Sequence, residues 1–196
     1  MKIRTLTLGD LQTNCYLVSE ESGVTAVIDP GDEPQAILAR AAQEQLQIKA
    51  VLLTHGHFDH VGGVRAIHDA TGCPVWMHGR ENALPPVMTN GKLFFTDLYE
   101  EGKTVQVGKL RFSVLETPGH TPGSVCLRCE NVLFSGDTLF AGSYGRTDFP
   151  GSSPADMRKS LSRLAAIPEN CTVLPGHGEA TTLDRERGWI EGAFFR

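Results

Sequence analysis

One short stretch constrains this chain more than any other. Residues 54–63 read T-H-G-H-F-D-H-V-G-G and follow the apolar run A-V-L-L. The β-branched and aliphatic run predicts a buried strand, so ligand-type side chains are crowded where that strand ends. His55, His57 and Asp59 are spaced two apart; in an extended segment they project to one side, and His60 is free to face a second point. This spacing could serve two metal ions.

Three later positions place a potential ligand directly after a glycine at the end of a β-like run. They are Gly119-His120, Gly136-Asp137 and Gly176-His177. A small residue before each ligand suits backbones that must approach one common centre closely. Imidazole and carboxylate groups without thiolate favour zinc, iron or manganese.

A lone histidine such as His120 or His177 is more often a surface or hydrogen-bonded core residue than a ligand. The cluster at residues 55–60 reverses that expectation, because burying three imidazoles and a carboxylate without a cation would leave several polar groups unsatisfied. We therefore expect a metal centre at the cluster, completed by His120, Asp137 and His177.

Strand-like and helix-like patterns alternate along two similar halves of the chain. In the first half, strands are predicted at residues 2–8, 14–19, 24–28, 49–53 and 75–77, and helices at 34–47 and 62–70. In the second, strands are predicted at residues 104–107, 110–116, 124–129, 132–134 and 172–174, and helices at 157–166 and 183–190. Residues 82–103 are expected to form an irregular excursion near the site. Two β-rich halves with outer helices predict an α/β fold, a four-layer αβ/βα sandwich formed by one domain, residues 1–196.

The bulk composition excludes several kinds of partner. No apolar run approaches the length that spans a bilayer, so no membrane partner is expected. A net charge of -5 offers no basic surface to a phosphate backbone, which argues against nucleic acid. The N-terminus lacks an apolar signal core and the five cysteines are scattered, so we expect a cytoplasmic protein with reduced thiols. Cys126 and Cys129 would point to opposite faces of a strand as packing residues.

Four motifs resemble the successive motifs of the metallo-β-lactamase superfamily, and the match extends in order over essentially the whole chain. They are T-H-G-H-F-D-H at 54–60, P-G-H-T-P-G-S at 118–124, F-S-G-D-T-L-F at 134–140 and L-P-G-H-G at 174–178. The resemblance implies a first metal held by His55, His57 and His120. It implies a second held by Asp59, His60 and His177, with Asp137 bridging the two.

Within that superfamily the chain is most similar to the glyoxalase II-like hydrolases. Aspartate rather than cysteine at position 137, and histidine at position 57, set it apart from the commoner antibiotic-degrading members. Residues 141–148 and 175–182 look like those of short, single-domain forms. Full-length hydroxyacylglutathione hydrolases carry a further helical domain that supplies much of the glutathione contact. The resemblance thus implies a thioester hydrolase of the S-lactoylglutathione type and leaves open whether glutathione is its thiol.

The expected cofactors are two divalent ions, zinc first, with iron or manganese as alternatives. A water shared by two such ions has its pKa lowered toward about 7, which supplies hydroxide to attack an acyl carbon. Asp59 could orient this nucleophile while Asp137 sets the metal spacing. The leaving thiolate needs little protonation, because thiols ionise near about pH 8.5. The expected partner is a small acyl thioester, and the protein is expected to be a monomer or homodimer.

Arg146 is the expected partner for a substrate carboxylate, because a guanidinium group suits bidentate pairing. The alternative is a structural ion pair with Asp148 or another acid. Tyr144 is expected to flank the same pocket. An apolar wall for the acyl or thiol part is expected from Met88, Phe94 and Phe95, with a buried core role as the alternative.

Two other enzymatic functions are alternative hypotheses. The string G-R-T-D-F at residues 145–149 also looks like the persulfide dioxygenase branch of the superfamily, in which one iron would be held by His55, His120 and Asp137. A lactonase of the same superfamily is the second. A non-catalytic metal-binding or partner module is the alternative from a different class. Metal content and substrate trials distinguish them.

Overall fold

The computed structural model describes residues 1–89 and 91–194. The first of two six-stranded sheets has the order β1-β2-β3-β4-β5-β6. Its strands are β1 (Lys2–Leu8), β2 (Thr13–Ser19), β3 (Val24–Ile28), β4 (Gln47–Leu52), β5 (Val75–His78) and β6 (Asp97–Tyr99). The pairs β1/β2 and β2/β3 are antiparallel, whereas β3 to β6 run parallel to one another.

The second six-stranded sheet has the order β14-β13-β10-β9-β8-β7. Its strands are β7 (Thr104–Val107), β8 (Leu110–Glu116), β9 (Val125–Cys129), β10 (Val132–Gly136), β13 (Thr172–Pro175) and β14 (Thr181–Thr182). The pair β10/β13 is parallel and the other neighbours are antiparallel. A separate two-stranded hairpin joins β11 (Leu139–Phe140) to β12 (Ser143–Tyr144).

The helices lie outside the two sheets. They are α1 (Pro34–Gln43), α2 (Phe58–Val61), α3 (Val64–Thr71), α4 (Pro86–Thr89), α5 (Pro154–Ala165) and α6 (Leu183–Phe194), with a single 3₁₀ turn at Gly79–Ala83. The side-chain oxygen of Ser153 accepts a 3.2 Å hydrogen bond from the backbone N–H of Asp156, and so caps the start of α5. Among the described helices, none has both the length and the apolar character needed to cross a membrane.

Three hydrophobic clusters divide the molecule into four layers. The central cluster lies between the sheets and packs Ile28 and Leu52 of one against Phe112 and Phe134 of the other. A second cluster joins the outer face of the first sheet to α1 and α3, and a third joins the outer face of the second sheet to α5 and α6. The predicted αβ/βα sandwich is confirmed. Cys126 lies in the outer cluster and Cys129 in the central one, as a period of two requires.

The secondary structure differs from the prediction mainly in the first half. The helix expected at residues 34–47 ends at Gln43, because Gln45 adopts a left-handed backbone with φ of 54° and Gln47 already begins β4 beside Val24. The excursion at residues 82–103 contains β6, whose pairing with β5 was not predicted.

The ligand-bearing loops leave one edge of the two sheets. Thr54 at the end of β4 accepts a 2.9 Å hydrogen bond at its carbonyl oxygen from the N–H of Val125 at the start of β9. The N–H of Asn14 in the first sheet donates to the carbonyl oxygen of Gly176 at 2.7 Å, just after β13. These two bonds fix the sheets to each other at the edge where the histidines emerge.

Candidate metal centre

The first group of potential ligands consists of His55, His57 and His120. One ligand atom from each lies within 4.8 Å of the others, and all three side chains are buried. The Nδ1 atom of His57 is 2.9 Å from the Nε2 atom of His120. Two imidazole nitrogens at this distance satisfy each other only if one carries a proton, whereas a cation between them would be bound by both lone pairs.

Hydrogen bonds orient the outer histidines of the first group. The Nδ1 atom of His55 lies 3.1 Å from the hydroxyl of Thr54, which itself donates to Asp29 at 2.6 Å. The Nδ1 atom of His120 lies 2.8 Å from the carbonyl oxygen of Arg146, to which it donates. Because Nδ1 is occupied on both rings, Nε2 is the nitrogen that faces the centre.

Asp59, His60 and His177 form the second group. The Nε2 atom of His177 is 3.2 Å from Oδ2 of Asp59, and the Nε2 atom of His60 is 3.5 Å from the same oxygen. The hydroxyl of Thr13 donates to Oδ2 of Asp59 at 2.9 Å and fixes that carboxylate. The other ring nitrogen of His60, Nδ1, is 3.0 Å from Oδ2 of Asp29.

Asp137 lies between the two groups. Its Oδ1 is 3.4 Å from Nε2 of His60, while its Oδ2 is 3.4 Å from Nε2 of His120 and 3.7 Å from Nε2 of His177. The glycine expected before this ligand serves close approach: a Cβ on Gly136 (φ 48°) would lie 2.3 Å from the hydroxyl oxygen of Thr54. The structure thus brings together all seven residues that the sequence assigned to the metal centre.

The donor atoms fit divalent cations. Among the described residues, Oδ1 of Asp137 and the Nε2 atoms of His55, His57 and His60 are buried without a partner in hydrogen-bond geometry, and the closest approach of Nε2 of His60 to a carboxylate oxygen is 3.4 Å. Buried polar atoms without partners are rare in native structures and call for an unseen ligand. An imidazole and carboxylate set without thiolate suits zinc, iron or manganese.

Burial sets the protonation of the first group. It lowers the pKa of His55 and His120, and it lowers the pKa of His57 to about 4. The imidazoles of this group are therefore neutral at neutral pH. A neutral imidazole has the free lone pair that metal binding needs.

Carboxylates set the protonation of the second group. Burial disfavours the charged form of His60, but Asp137 and Asp29 outweigh it and raise its pKa. Burial likewise opposes ionisation of Asp59, yet the neighbouring His177 and His60 hold the pKa of this carboxyl well below its usual range. Asp59 is therefore ionised at neutral pH.

The local conformation of the histidine cluster differs from the prediction. His57 is extended (φ -66°, ψ 147°), but it immediately precedes the helical turn α2, which contains Asp59 and His60. The prediction that Asp59 projects to the same side as His55 and His57 was therefore wrong. The helical turn carries Asp59 away from the first group and places it beside His60, which is how one short stretch supplies both groups.

A cavity of about 510 Å³ opens over the two groups. His57, Asp59, His120, Asp137 and His177 form its polar floor. Tyr144, Arg146 and the predicted Met88 line it, together with the apolar side chains of Leu11, Phe58, Phe140 and Phe149. Sequence reasoning missed these four, because none carries an ionisable group and Leu11 lies outside every motif quoted above.

The expected apolar wall is wrong at Phe94 and Phe95. Both pack, partly buried, against the outer cluster of the first sheet, and the Phe94 ring lies 4.8 Å from the ring of His68 on α3. Neither belongs to the lining of the main cavity. Their alternative role, packing, is the one that the structure shows.

Arg146 is engaged in the alternative contact that the sequence left open. Its Nε and one terminal nitrogen donate to the two carboxylate oxygens of Asp148, both at 2.7 Å, and its guanidinium carbon lies 4.0 Å from the centre of the Phe149 ring. The Tyr144 ring stacks on Trp189 of α6, with ring centres 6.1 Å apart.

Asp29 was missed as a residue of the site. It lies directly after β3 and accepts hydrogen bonds from both the N–H and the hydroxyl of Thr54, besides its contact with His60. It belongs to none of the four motifs in the sequence. The signal that could have found it is positional, because β3 and β4 are parallel neighbours whose carboxyl ends meet at one edge.

Comparison with known proteins identifies the family. A family model described as the metallo-beta-lactamase superfamily matches residues 8–177. The chain therefore belongs to the metallo-beta-lactamase superfamily, as its four motifs predicted. This is a metallo-hydrolase superfamily that binds divalent metals, and the clustered histidines described above are consistent with that property.

The names of individual relatives point to different activities. Hydroxyacylglutathione hydrolase GloC of Haemophilus influenzae is 31% identical over 202 residues, which cover 95% of each chain. The solved structure of BLEG-1 B3 metallo-beta-lactamase has a TM-score of 0.90 and 35% identity, covering 95% of this chain and 97% of that one. ETHE1 from Myxococcus xanthus has a TM-score of 0.85 and 29% identity, covering 98% and 85%. Similarity alone thus leaves the substrate open.

Proposed function

We propose that this protein is a dinuclear metal-dependent hydrolase acting on small acyl thioesters of the hydroxyacylglutathione type. The observation that carries the proposal is the complete second group beside the first, with Asp137 between them. A site for one cation would need only the first group. The likeness to a hydroxyacylglutathione hydrolase over 95% of both chains supports the thioester class.

Zinc is the proposed metal, with iron or manganese as alternatives that the same ligands accept. His55, His57 and His120 would hold one cation, Asp59, His60 and His177 the other, and Asp137 would bridge them. When bound, two such cations lower the pKa of water and polarise a carbonyl group.

The protein's own residues supply orientation. Asp59 is ionised, lines the cavity and is held by Thr13, so it can accept a hydrogen bond from the attacking water and fix its direction. No dedicated acid is needed for the departing thiolate, because thiols ionise near about pH 8.5.

The cavity walls set what kind of substrate fits. Leu11, Phe58, Met88 and Phe149 give an apolar surface for the acyl or thiol arm. Arg146 would turn the Nε side of its guanidinium group to a substrate carboxylate only by leaving Asp148, and Tyr144 flanks the same wall. The proposed partner is therefore a small-molecule thioester, and the net charge of -5 argues against nucleic acid.

The second candidate function is a persulfide dioxygenase with one iron held by His55, His120 and Asp137. Two observations favour it: the G-R-T-D-F string at residues 145–149 and the similarity to ETHE1 at a TM-score of 0.85. Against it stands the intact second group, which a single iron does not require.

Metal analysis with three assays tests the proposal. Protein purified without added metal is analysed for cations per chain, then assayed for hydrolysis of S-lactoylglutathione, for oxygen uptake with glutathione persulfide, and for opening of a β-lactam. Two cations and thioester turnover are expected. One iron with oxygen uptake would replace the proposal by the dioxygenase, and turnover confined to the β-lactam would replace it by a β-lactamase activity.

A further inference from the structure

Glu81 is a buried carboxylate that the proposed reaction does not use. It lies in the 3₁₀ turn Gly79–Ala83, directly after β5, and its side chain is fully buried. It is not among the residues that line the main cavity, so it does not touch a substrate there. Burying a carboxylate costs free energy unless its oxygens are hydrogen-bonded, so its partners explain its presence.

Each oxygen of Glu81 accepts a hydrogen bond from a different ligand loop. The N–H of Gly56, between His55 and His57, donates to Oε2 at 2.5 Å. The N–H of Gly123, in the loop that carries His120, donates to Oε1 at 2.7 Å. One carboxylate thus joins the backbones of the two loops that form the first group.

The hydrogen bonds to Glu81 leave little space for a side chain at Gly56 or at Gly123. A Cβ added to Gly56 would lie 3.1 Å from Oε2 of Glu81 and 3.0 Å from Leu93. A Cβ added to Gly123 would lie 2.7 Å from Oε1. Glycine at both positions lets the backbones reach the carboxylate, as close approach requires.

Burial raises the pKa of Glu81 above its ordinary value, and the side chain of Thr121 and the two backbone N–H groups act against this rise. The carboxylate is thus held at some cost, by donors that belong to the ligand loops. Such a residue contributes to the relative position of the loops rather than to the chemistry itself.

We propose that Glu81 is a positioning residue that fixes the distance between the His55–His57 loop and the His120 loop, and so sets the affinity of the first group for its cation. The inference rests on the proposed metal centre. It differs from the usual way of orienting ligands, through the second ring nitrogen of a histidine, because Glu81 acts on the backbone of the loops.

The variant Glu81→Gln tests the inference. It keeps the shape of the side chain, but its amide NH₂ would face one of the two backbone N–H donors. Affinities for both cations are measured on the full chain by competition with a chromophoric chelator, and the cobalt-substituted protein is followed by its visible absorption. We expect the cation of the first group to bind about 10–100-fold more weakly and its absorption band to change, while the cation of the second group is little affected.

Glu186→Gln is the matched control. Glu186 is also fully buried and also accepts a backbone N–H, from Gly142 at 2.8 Å, together with the hydroxyl of Thr181 at 2.5 Å. None of these donors lies in a loop of the first group. This variant is expected to lower the melting temperature of the metal-free protein without the selective loss of one cation.

Glu81→Asp covers the case in which the glutamine variant does not fold. It keeps the buried charge but shortens the side chain by one methylene group, so it can reach only one of the two loops. The same selective loss of affinity is expected. Wild-type affinity for both cations in either folded variant would overturn the inference, even if the melting temperature falls. A wild-type protein that binds no cation would instead refute the proposed function, so the two failures are distinguishable.

Discussion

The two ligand groups lie side by side at Asp137, yet they differ in burial and in charge. In the first group the three histidines are 1–4% exposed, and burial keeps them neutral. In the second group the side chain of His177 is 29% exposed, and Asp59 contributes a negative charge to the floor of the cavity. The first group consists of buried, neutral imidazoles, whereas the second contains an ionised carboxylate and a histidine that is partly exposed to solvent.

This difference separates two tasks. A cation in the first group would be enclosed by loops held in place by hydrogen bonds, between Glu81 and the N–H of Gly56 and between Thr54 and the ring of His55. A cation in the second group would be reached from the cavity, where Asp59 also meets the attacking water. We infer that the first group retains its cation and that the second exchanges it with solvent.

Chelation should give the largest effect. Removing both cations is expected to lower thioester turnover by at least about 10³-fold, because metal ions supply several kcal/mol of stabilisation to the developing charge. The second group should lose its cation first, since His177 is exposed. Stopped-flow release into a chromophoric chelator measures the two phases, and release in a single phase would remove the distinction between the groups.

Much of the fold could be predicted because local pattern and burial agree. Lys2–Leu8, Val24–Ile28, Thr104–Val107 and Leu110–Glu116 have the predicted bounds, since apolar residues alternate there or turn residues flank them. The strand Asp97–Tyr99 was not predicted. Three residues are too few to show an alternating apolar pattern, and the strand depends on pairing with Trp76–His78. The β11/β12 hairpin was missed for the same reason.

The site could be predicted as a set of residues but not as a geometry. The cluster at residues 55–60 and the three later positions that follow a glycine identified all seven potential ligands, whereas their division between two groups depends on the helical turn at Phe58–Val61. Glu81 was missed because it lies in no motif, 25 residues from Gly56 and 42 from Gly123. Contacts across such separations are set by the packing of the sheets.

Asp59→Asn should give the second largest effect. The amide keeps the volume and can still accept from Thr13, so we expect the fold to be retained. Loss of the negative charge that orients the water is expected to lower kcat by about 10²-fold or more. Steady-state kinetics at saturating metal measure it.

Asp69→Asn is the control for this substitution. Asp69 is exposed and pairs with Arg65 on α3, away from the cavity lining. It should leave kcat and KM unchanged. Wild-type kcat in Asp59→Asn, with both cations bound, would show that the second group has no part in orienting the nucleophile.

Asp148→Asn should give the smallest effect and concerns the open side of the site. It would release Arg146 from its bidentate pair. KM is expected to fall a few-fold for thioesters that carry a carboxylate, because the released guanidinium can pair with it, and to stay constant for uncharged thioesters. The fold should be retained, because an exposed ion pair contributes little to stability. Equal KM changes for both substrates would mean that Arg146 does not contact the substrate.

The most direct test of two unlike cation sites is a crystal structure of protein purified without added metal, with anomalous diffraction collected above the absorption edge of the bound metal. The account predicts two peaks, one within bonding distance of His55, His57 and His120 and one within bonding distance of Asp59, His60 and His177. It also predicts that a short soak in chelator removes the second peak first. A single peak at the first group, or two peaks lost together, would contradict it.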